Sequence, residues 1–337
     1  MANITYLFGA GASIGALPVV NQMAKSIGLF IKEIEKPEYA LRGEFYSDRE
    51  PKMSKHMNLV SFIKDLKWLQ DACNKHASVD TFAKKLYLKQ DWINLRRLKA
   101  TLSAYFILEQ ARKYNEEKRY DAFFASILED RIHPLPGHIK ILSWNYDYQF
   151  EQAYSGYSGN ASLAANQSSL NVVSKHTSPG WFGSDFGIYK INGTTSIDQS
   201  ESDERDHLNN QIPNNFNTSV IEIALRDYYF VINHSHSTTS TLSFAWEKDN
   251  QTKITELIKV ATKDTDILVV VGYSFPFFNR SIDRQIIGNM INLKKVYFQA
   301  PDADNLKERF LAIKPAMESH KLVSRFNLDQ FLLPDEL

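Results

Sequence analysis

Ile267-Leu-Val-Val-Val271 is an unbroken run of five apolar residues, four of them β-branched, with no polar position to turn toward water. Such a run reads as a strand buried on both sides, the situation of a parallel sheet whose two faces are covered. Shorter segments of the same character occur at Asn3 to Phe8, Ile139 to Trp144, Gly187 to Ile191 and Lys295 to Gln299. Four of the five run into small or polar residues: Gly9-Ala-Gly-Ala-Ser13, Asn145-Tyr-Asp147, Asn192-Gly193 and Gly272-Tyr-Ser274.

Between the first and second of these strands the pattern changes period. A helix is expected from about Val20 to Glu35, then an irregular excursion over 37–56, broken by Pro37, Gly43 and Pro51. Met57 to Asp130 contains no Gly and no Pro and spaces its apolar residues as helices do, which predicts about four helices. Ser155 to Asp185 and Ser196 to Asn217 are polar and read as two long loops. The expected architecture is α/β: a Rossmann-like parallel sheet with helices on both faces, formed by 1–36 and 131–337, with 37–130 as an inserted helical block.

Composition excludes several classes. The chain balances 39 basic against 39 acidic residues, whereas a dedicated nucleic-acid binder carries a basic excess. Its single cysteine, Cys73, allows neither an intrachain disulfide nor a zinc ribbon and is expected to be a packing residue. The longest apolar run, Ile267 to Phe278, is shorter than the ~20 residues of a membrane span. Ile4 to Val20 is apolar, but no Lys or Arg precedes it, so it reads as structure and the protein as cytoplasmic.

In parallel sheets, ligands bind outside the carboxyl ends of the strands, so the four strand exits are where chemistry is expected. Gly9-x-Gly11-x-Ser13 fits backbone approach to a pyrophosphate, and equally fits tight strand-to-helix packing. No acidic second-strand terminus follows about 20 residues on, which disfavours an ordinary dehydrogenase. Gly11-Ala-Ser-Ile-Gly15 also matches G-x-S-x-G, which keeps Ser13 as a minor candidate for a serine hydrolase nucleophile. Asn145 and Asp147 are either site residues or an Asx-type cap of the strand. His234 and His236 form a pair too thin for a metal site.

Taken together, Gly9-Ala-Gly-Ala-Ser13, Asn145-Tyr-Asp147, Lys190-Ile-Asn-Gly193 and Gly272-Tyr-Ser-Phe275 resemble the sirtuin superfamily in order and spacing. The likeness is closest to the sirtuin-like NAD-consuming domains of bacterial anti-phage defence systems and spans about Ile4 to Ala300. Ser78-Val-Asp80-Thr-Phe82 looks like an acidic helix-entry motif of that group.

The resemblance implies that Gly9, Ala10, Gly11, Ala12 and Ser13 cradle the NAD phosphates, and that Asn145 is the catalytic asparagine, helped by Asp147 or Asp80. It further implies that Asn192, Gly193, Gly272, Ser274 and Phe275 contact the cofactor. One departure is plain: Asn192 stands where the family has a histidine base, and His176 is the nearest substitute.

A general base is typically worth about 10²–10⁴-fold, and deacylation needs it more than release of neutral nicotinamide does. The implied activity is therefore NAD glycohydrolysis to nicotinamide and ADP-ribose, without a metal. An NAD- or ADP-ribose-binding scaffold is the alternative. The chain ends soon after its last strands, so control is expected in trans, by a HerA-type ATPase or an Argonaute-type partner, or through homo-oligomerisation. Direct contact with nucleic acid or membrane is not expected.

Overall fold

The computed structural model describes residues 1–45, 53–128, 130–174, 185–199, 212–233 and 238–337. The chain divides into two units, one of Met1–Ile14, Glu117–Thr194 and Ser243–Leu337, the other of Gly15–Glu116 and Thr195–Leu242. No described helix is long and apolar enough to cross a membrane.

The first unit is built on a sheet of seven strands: β1 (Ile4–Phe8), β2 (Ile139–Ser143), β3 (Val172–Val173), β4 (Gly187–Lys190), β5 (Ile267–Val271), β6 (Lys295–Gln299) and β7 (Leu322–Arg325). Their order is β7-β6-β5-β1-β2-β4-β3, and every pairing is parallel. The α/β Rossmann-like architecture read from the sequence is the one observed.

The apolar runs are buried from end to end because each strand feeds two cores. From β1, Ile4, Tyr6 and Phe8 enter one core while Leu7 enters the other. In β5, Ile267, Val269 and Val271 join the first core, and Leu268 and Val270 the second. Helices Arg119–Ile127 and Gln149–Ser158 cover one face with Tyr120, Phe123, Phe124, Phe150 and Tyr154. Helices Lys248–Thr262, Arg280–Gly288 and Ala303–Leu311 cover the other.

A segment with no helix completes the first face. Phe331 packs edge-on against Phe8 and Tyr120 at 5.0 and 4.9 Å. Gln299 fixes the segment, donating to the carbonyls of Asn327 and Gln330 and accepting from Leu332 N.

Register sets the site. Phe8 is level with Ser143 and with Val271, Ser143 with Lys190, and Val271 with Gln299. The strand exits thus form one edge. The chain moves from β1 to β2 on one side and later returns to β5 on the other, so the topological switch point lies between β1 and β5.

The second unit is mainly helical: Met23–Ile34, Lys55–Lys75, Val79–Leu88, Trp92–Arg112 and Thr218–Asn233. Four helices do lie between residues 55 and 127, but the fourth, Arg119–Ile127, belongs to the sheet unit. The helical unit takes in Gly15–Glu116 together with Thr195–Leu242.

Met23–Ile34 joins it because Gln70 Nε2 donates to Ala24 O and Tyr105 Oη donates to Ser26 Oγ. Thr218–Asn233 joins it because Asn58 Nδ2 donates to Leu225 O and Tyr228 Oη to Asp65 Oδ2. The expected polar loop from Ser155 is partly helix, since Leu163–Ser169 is capped by Ser162, whose Oγ accepts from Ala165 N.

Candidate functional site

The carboxyl edge of the sheet unit is organised around Ser13, which is 1% exposed. Its hydroxyl donates to Asp147 Oδ2 at 2.6 Å. With its one proton committed there, it accepts from Tyr120 Oη at 2.6 Å and from Asn145 Nδ2 at 3.1 Å. Burial and the Asp147 charge hold the Tyr120 phenol well above its ordinary pKa, so it stays a donor. A hydroxyl enclosed by these three partners, with no described histidine among them, has the surroundings of a structural hub and not of a nucleophile.

Asn145 is held equally firmly. Its amide nitrogen donates to Ser13 Oγ and to Gly9 O at 2.9 Å, and its main-chain N–H donates to Ser143 Oγ at 3.1 Å. Both side-chain protons are therefore spent on the loop after β1, and the atom left for a ligand is Oδ1.

Asp147 is positioned from both ends. Oδ1 accepts from Gln149 N at 3.2 Å, and the main-chain carbonyl accepts from Lys190 Nζ at 2.6 Å. Lys190 and Glu151 form an ion pair at 3.4 Å with both side chains fully buried. Gln167 Nε2 supplies a further hydrogen bond to Glu151 Oε1 at 3.2 Å.

The Gly9–Ser13 loop touches the β5 exit main chain to main chain. Gly9 N donates to Val271 O at 2.9 Å and Gly11 N to Gly272 O at 3.0 Å. A Cβ on Gly272 would lie 2.4 Å from Ala12 N, and its φ of +58° is left-handed. A Cβ on Gly9 would lie 2.6 Å from Tyr273 Cα.

The glycines are thus required by close packing, one of the two readings left open by the sequence. Two of the loop's amides are consumed by it. Ala10 is the exposed residue of the loop, and Ala12 N donates to Gly9 O at 2.9 Å. Arg119 Nη2 steadies the far side of the loop, donating to Ala12 O at 3.0 Å.

Asn192 follows β4, and its Nδ2 donates at 3.3 Å to the carbonyl of Trp144, the residue before Asn145. Gly193 makes the turn at φ +75°, its N–H donating to Lys190 O. Beyond β5, Ser274 is exposed, and its carbonyl accepts from Arg309 Nη1 at 2.9 Å. Phe275 turns inward among Tyr273, Phe298 and Phe310.

The edge also holds residues that pattern reading passed over. Tyr273 lies stacked on Trp144, with ring centroids 5.9 Å apart, and donates to Asp283 Oδ2 at 2.8 Å. Asn279 Nδ2 donates in turn to Tyr273 Oη at 3.0 Å. Burial pushes the Asp283 carboxyl up to about 7, against the opposing pull of Tyr273, Trp144 and Arg280. A signal for it existed: Asp283 shares the helical stripe of Ile286 and Ile287, so a carboxylate was due on a buried face. Tyr120 likewise sits on the stripe of Phe123, Phe124 and Ile127.

Of the remaining candidates, Asp80 lies in the helical unit, in the first turn of Val79–Leu88, which Ser78 caps by accepting from Thr81 N. Burial raises the Asp80 carboxyl to about 6. Cys73 is half-buried with its thiol pushed up to about 11, which makes it a poor nucleophile at neutral pH. His176, His234 and His236 lie outside the described residues. Among the described residues no three His, Cys, Asp or Glu side chains gather into a metal-holding group.

No family model matches this chain, and no curated protein matches its sequence.

Proposed function

We propose that the sheet unit binds NAD across its carboxyl edge and hydrolyses it to nicotinamide and ADP-ribose. The observation that carries this reading is the commitment of both Asn145 amide protons to Gly9 and Ser13, which leaves Oδ1 as an acceptor at the edge where parallel sheets bind ligands. The motif resemblance to sirtuin-like NAD-consuming domains supports the choice of ligand.

Nicotinamide departs neutral from a cationic pyridinium, so the cleavage needs no general acid. It needs an oriented ribose and acceptors facing an oxocarbenium-like centre, which a fixed amide oxygen supplies. In this reading Asn145 is the catalytic residue, and Ser13, Asp147 and Lys190 position it. The cofactor's phosphates would meet the exposed Ala10 end of the first loop.

A second reading, an NAD- or ADP-ribose-binding subunit without turnover, is favoured by Asn192 at the position of the expected base and by the engaged amides of Gly9 and Gly11. Incubation of the purified protein with NAD, following nicotinamide release, separates the two. Release that falls at least about 100-fold in Asn145→Ala supports the hydrolase. Tight ADP-ribose binding without release supports the scaffold. As a defence effector such an enzyme would be held in check by a partner or by assembly, and light scattering of the purified chain tests the second.

A further inference from the structure

Among the buried polar atoms at this edge without a hydrogen-bond partner among the described residues, two belong to residues bonded to one another. Asn192 is 6% exposed with Oδ1 unpartnered, and Ser243 is 1% exposed with Oγ unpartnered. Ser243 N donates to Asn192 O at 2.8 Å, and Tyr146 Oη donates to Ser243 O at 3.4 Å. Asn192 Nδ2 is meanwhile anchored on Trp144 O, so the amide is oriented and its oxygen is the free end. Leaving such atoms unsatisfied is costly, and native proteins rarely leave two in bonded residues without a polar occupant.

We propose that Asn192 Oδ1 and Ser243 Oγ form the acceptor subsite, holding the water that captures the sugar cation generated beside Asn145. This rests on the NAD-hydrolysing reading above. An amide oxygen accepts one proton of a water molecule, and a hydroxyl can donate to its oxygen or accept its second proton. The pair therefore fixes a small hydroxylic nucleophile without a titrating base. The C1′–N bond breaks with its electron pair going to the pyridinium nitrogen, releasing neutral nicotinamide. The water oxygen forms the new C1′–O bond, and its surplus proton passes to solvent. Asn192 then takes the positioning part of the family's histidine without its basicity, and turnover should show no ionisation attributable to this residue.

The experiment is turnover of NAD by the full chain in water containing methanol, measuring ADP-ribose against its methyl glycoside. The wild-type protein is expected to favour hydrolysis over the solvent ratio. In Asn192→Ala and Ser243→Ala the methanol-to-water product ratio should rise by about fivefold, the selectivity that one hydrogen bond represents. Ser243→Ala, which leaves the Asn192 anchor on Trp144 O intact, serves where Asn192→Ala does not fold. A crystal structure of the wild-type protein should show an ordered water bridging Asn192 Oδ1 and Ser243 Oγ. An unchanged product ratio in both alanine variants, or turnover in a protein whose structure lacks that water, overturns the acceptor subsite alone. Absence of nicotinamide release from every form overturns the NAD-hydrolysing reading and the acceptor role with it.

Discussion

Ser13 donates its hydroxyl proton to Asp147 across 2.6 Å, which ties the loop after the first strand to the loop after the second. The same oxygen accepts from Asn145 and Tyr120, so one small side chain fixes groups that arrive from two distant parts of the sequence, residue 120 and residues 145–147.

Ser13→Ala should therefore behave as a stability mutation. It leaves a buried carboxylate and a buried phenol each short of a partner, a loss of about 1–3 kcal/mol in urea unfolding. A nucleophilic serine would give the opposite result, with stability kept and activity abolished.

The Lys190–Glu151 pair calls for a double-mutant cycle. Lys190→Met strands a buried carboxylate and should cost about 3–5 kcal/mol, while Lys190→Met with Glu151→Leu should recover most of that loss. The double variant also removes the support of the Asp147 carbonyl. Recovered stability with NAD turnover still depressed would identify the lysine as a positioning residue.

Gly272→Ala forces a Cβ to 2.4 Å from Ala12 N at a left-handed φ, and the obstacle is main chain that cannot swing aside. It should destabilise by more than about 3 kcal/mol or prevent folding. Gly156, exposed in helix Gln149–Ser158 with open space around its Cβ position, is the contrasting case. Gly156→Ala should raise stability by roughly 0.5–1 kcal/mol.

Asp283 gives the fold a pH dependence of predictable sign. Its carboxyl titrates at about 7 in the folded protein against 3.8 ordinarily, so between about pH 4 and pH 7 the folded state holds more protons than the unfolded chain. Stability must fall as pH rises through that window. Asp80, raised to about 6, contributes with the same sign. Asp283→Asn should flatten the decline without removing it, as read from unfolding midpoints at pH 4, 5.5 and 7.

The strands were legible because runs such as Ile267–Val271 face two cores and leave no polar position to confuse the pattern. Their exits were legible because Asn145 and Asp147 are costly at a buried edge unless bonded. The helix Leu163–Ser169 was not, since its composition is that of a loop and its order comes from the Ser162 cap and from Asn166, whose Nδ2 donates to the carbonyls of Asn160 and Ser162. The unit to which Met23–Ile34 belongs was hidden for another reason. An amphipathic pattern announces an apolar face but not what covers it, and Gln70 and Tyr105 decide that from 46 and 79 residues away. Asn192 and Ser243 meet only through the main chain, a relation that no local spacing encodes.

The seam between Gly9, Gly11 and Gly272 governs how this edge can respond to anything bound on it. Because the lips of the switch point are joined backbone to backbone, a ligand cannot enter by parting them and must lie across the ridge they make. Side-chain variation at the seam is closed to evolution and to engineering alike. Changes in specificity have to come from the residues that stay exposed on either flank, Ala10 on one side and Ser274 onward on the other.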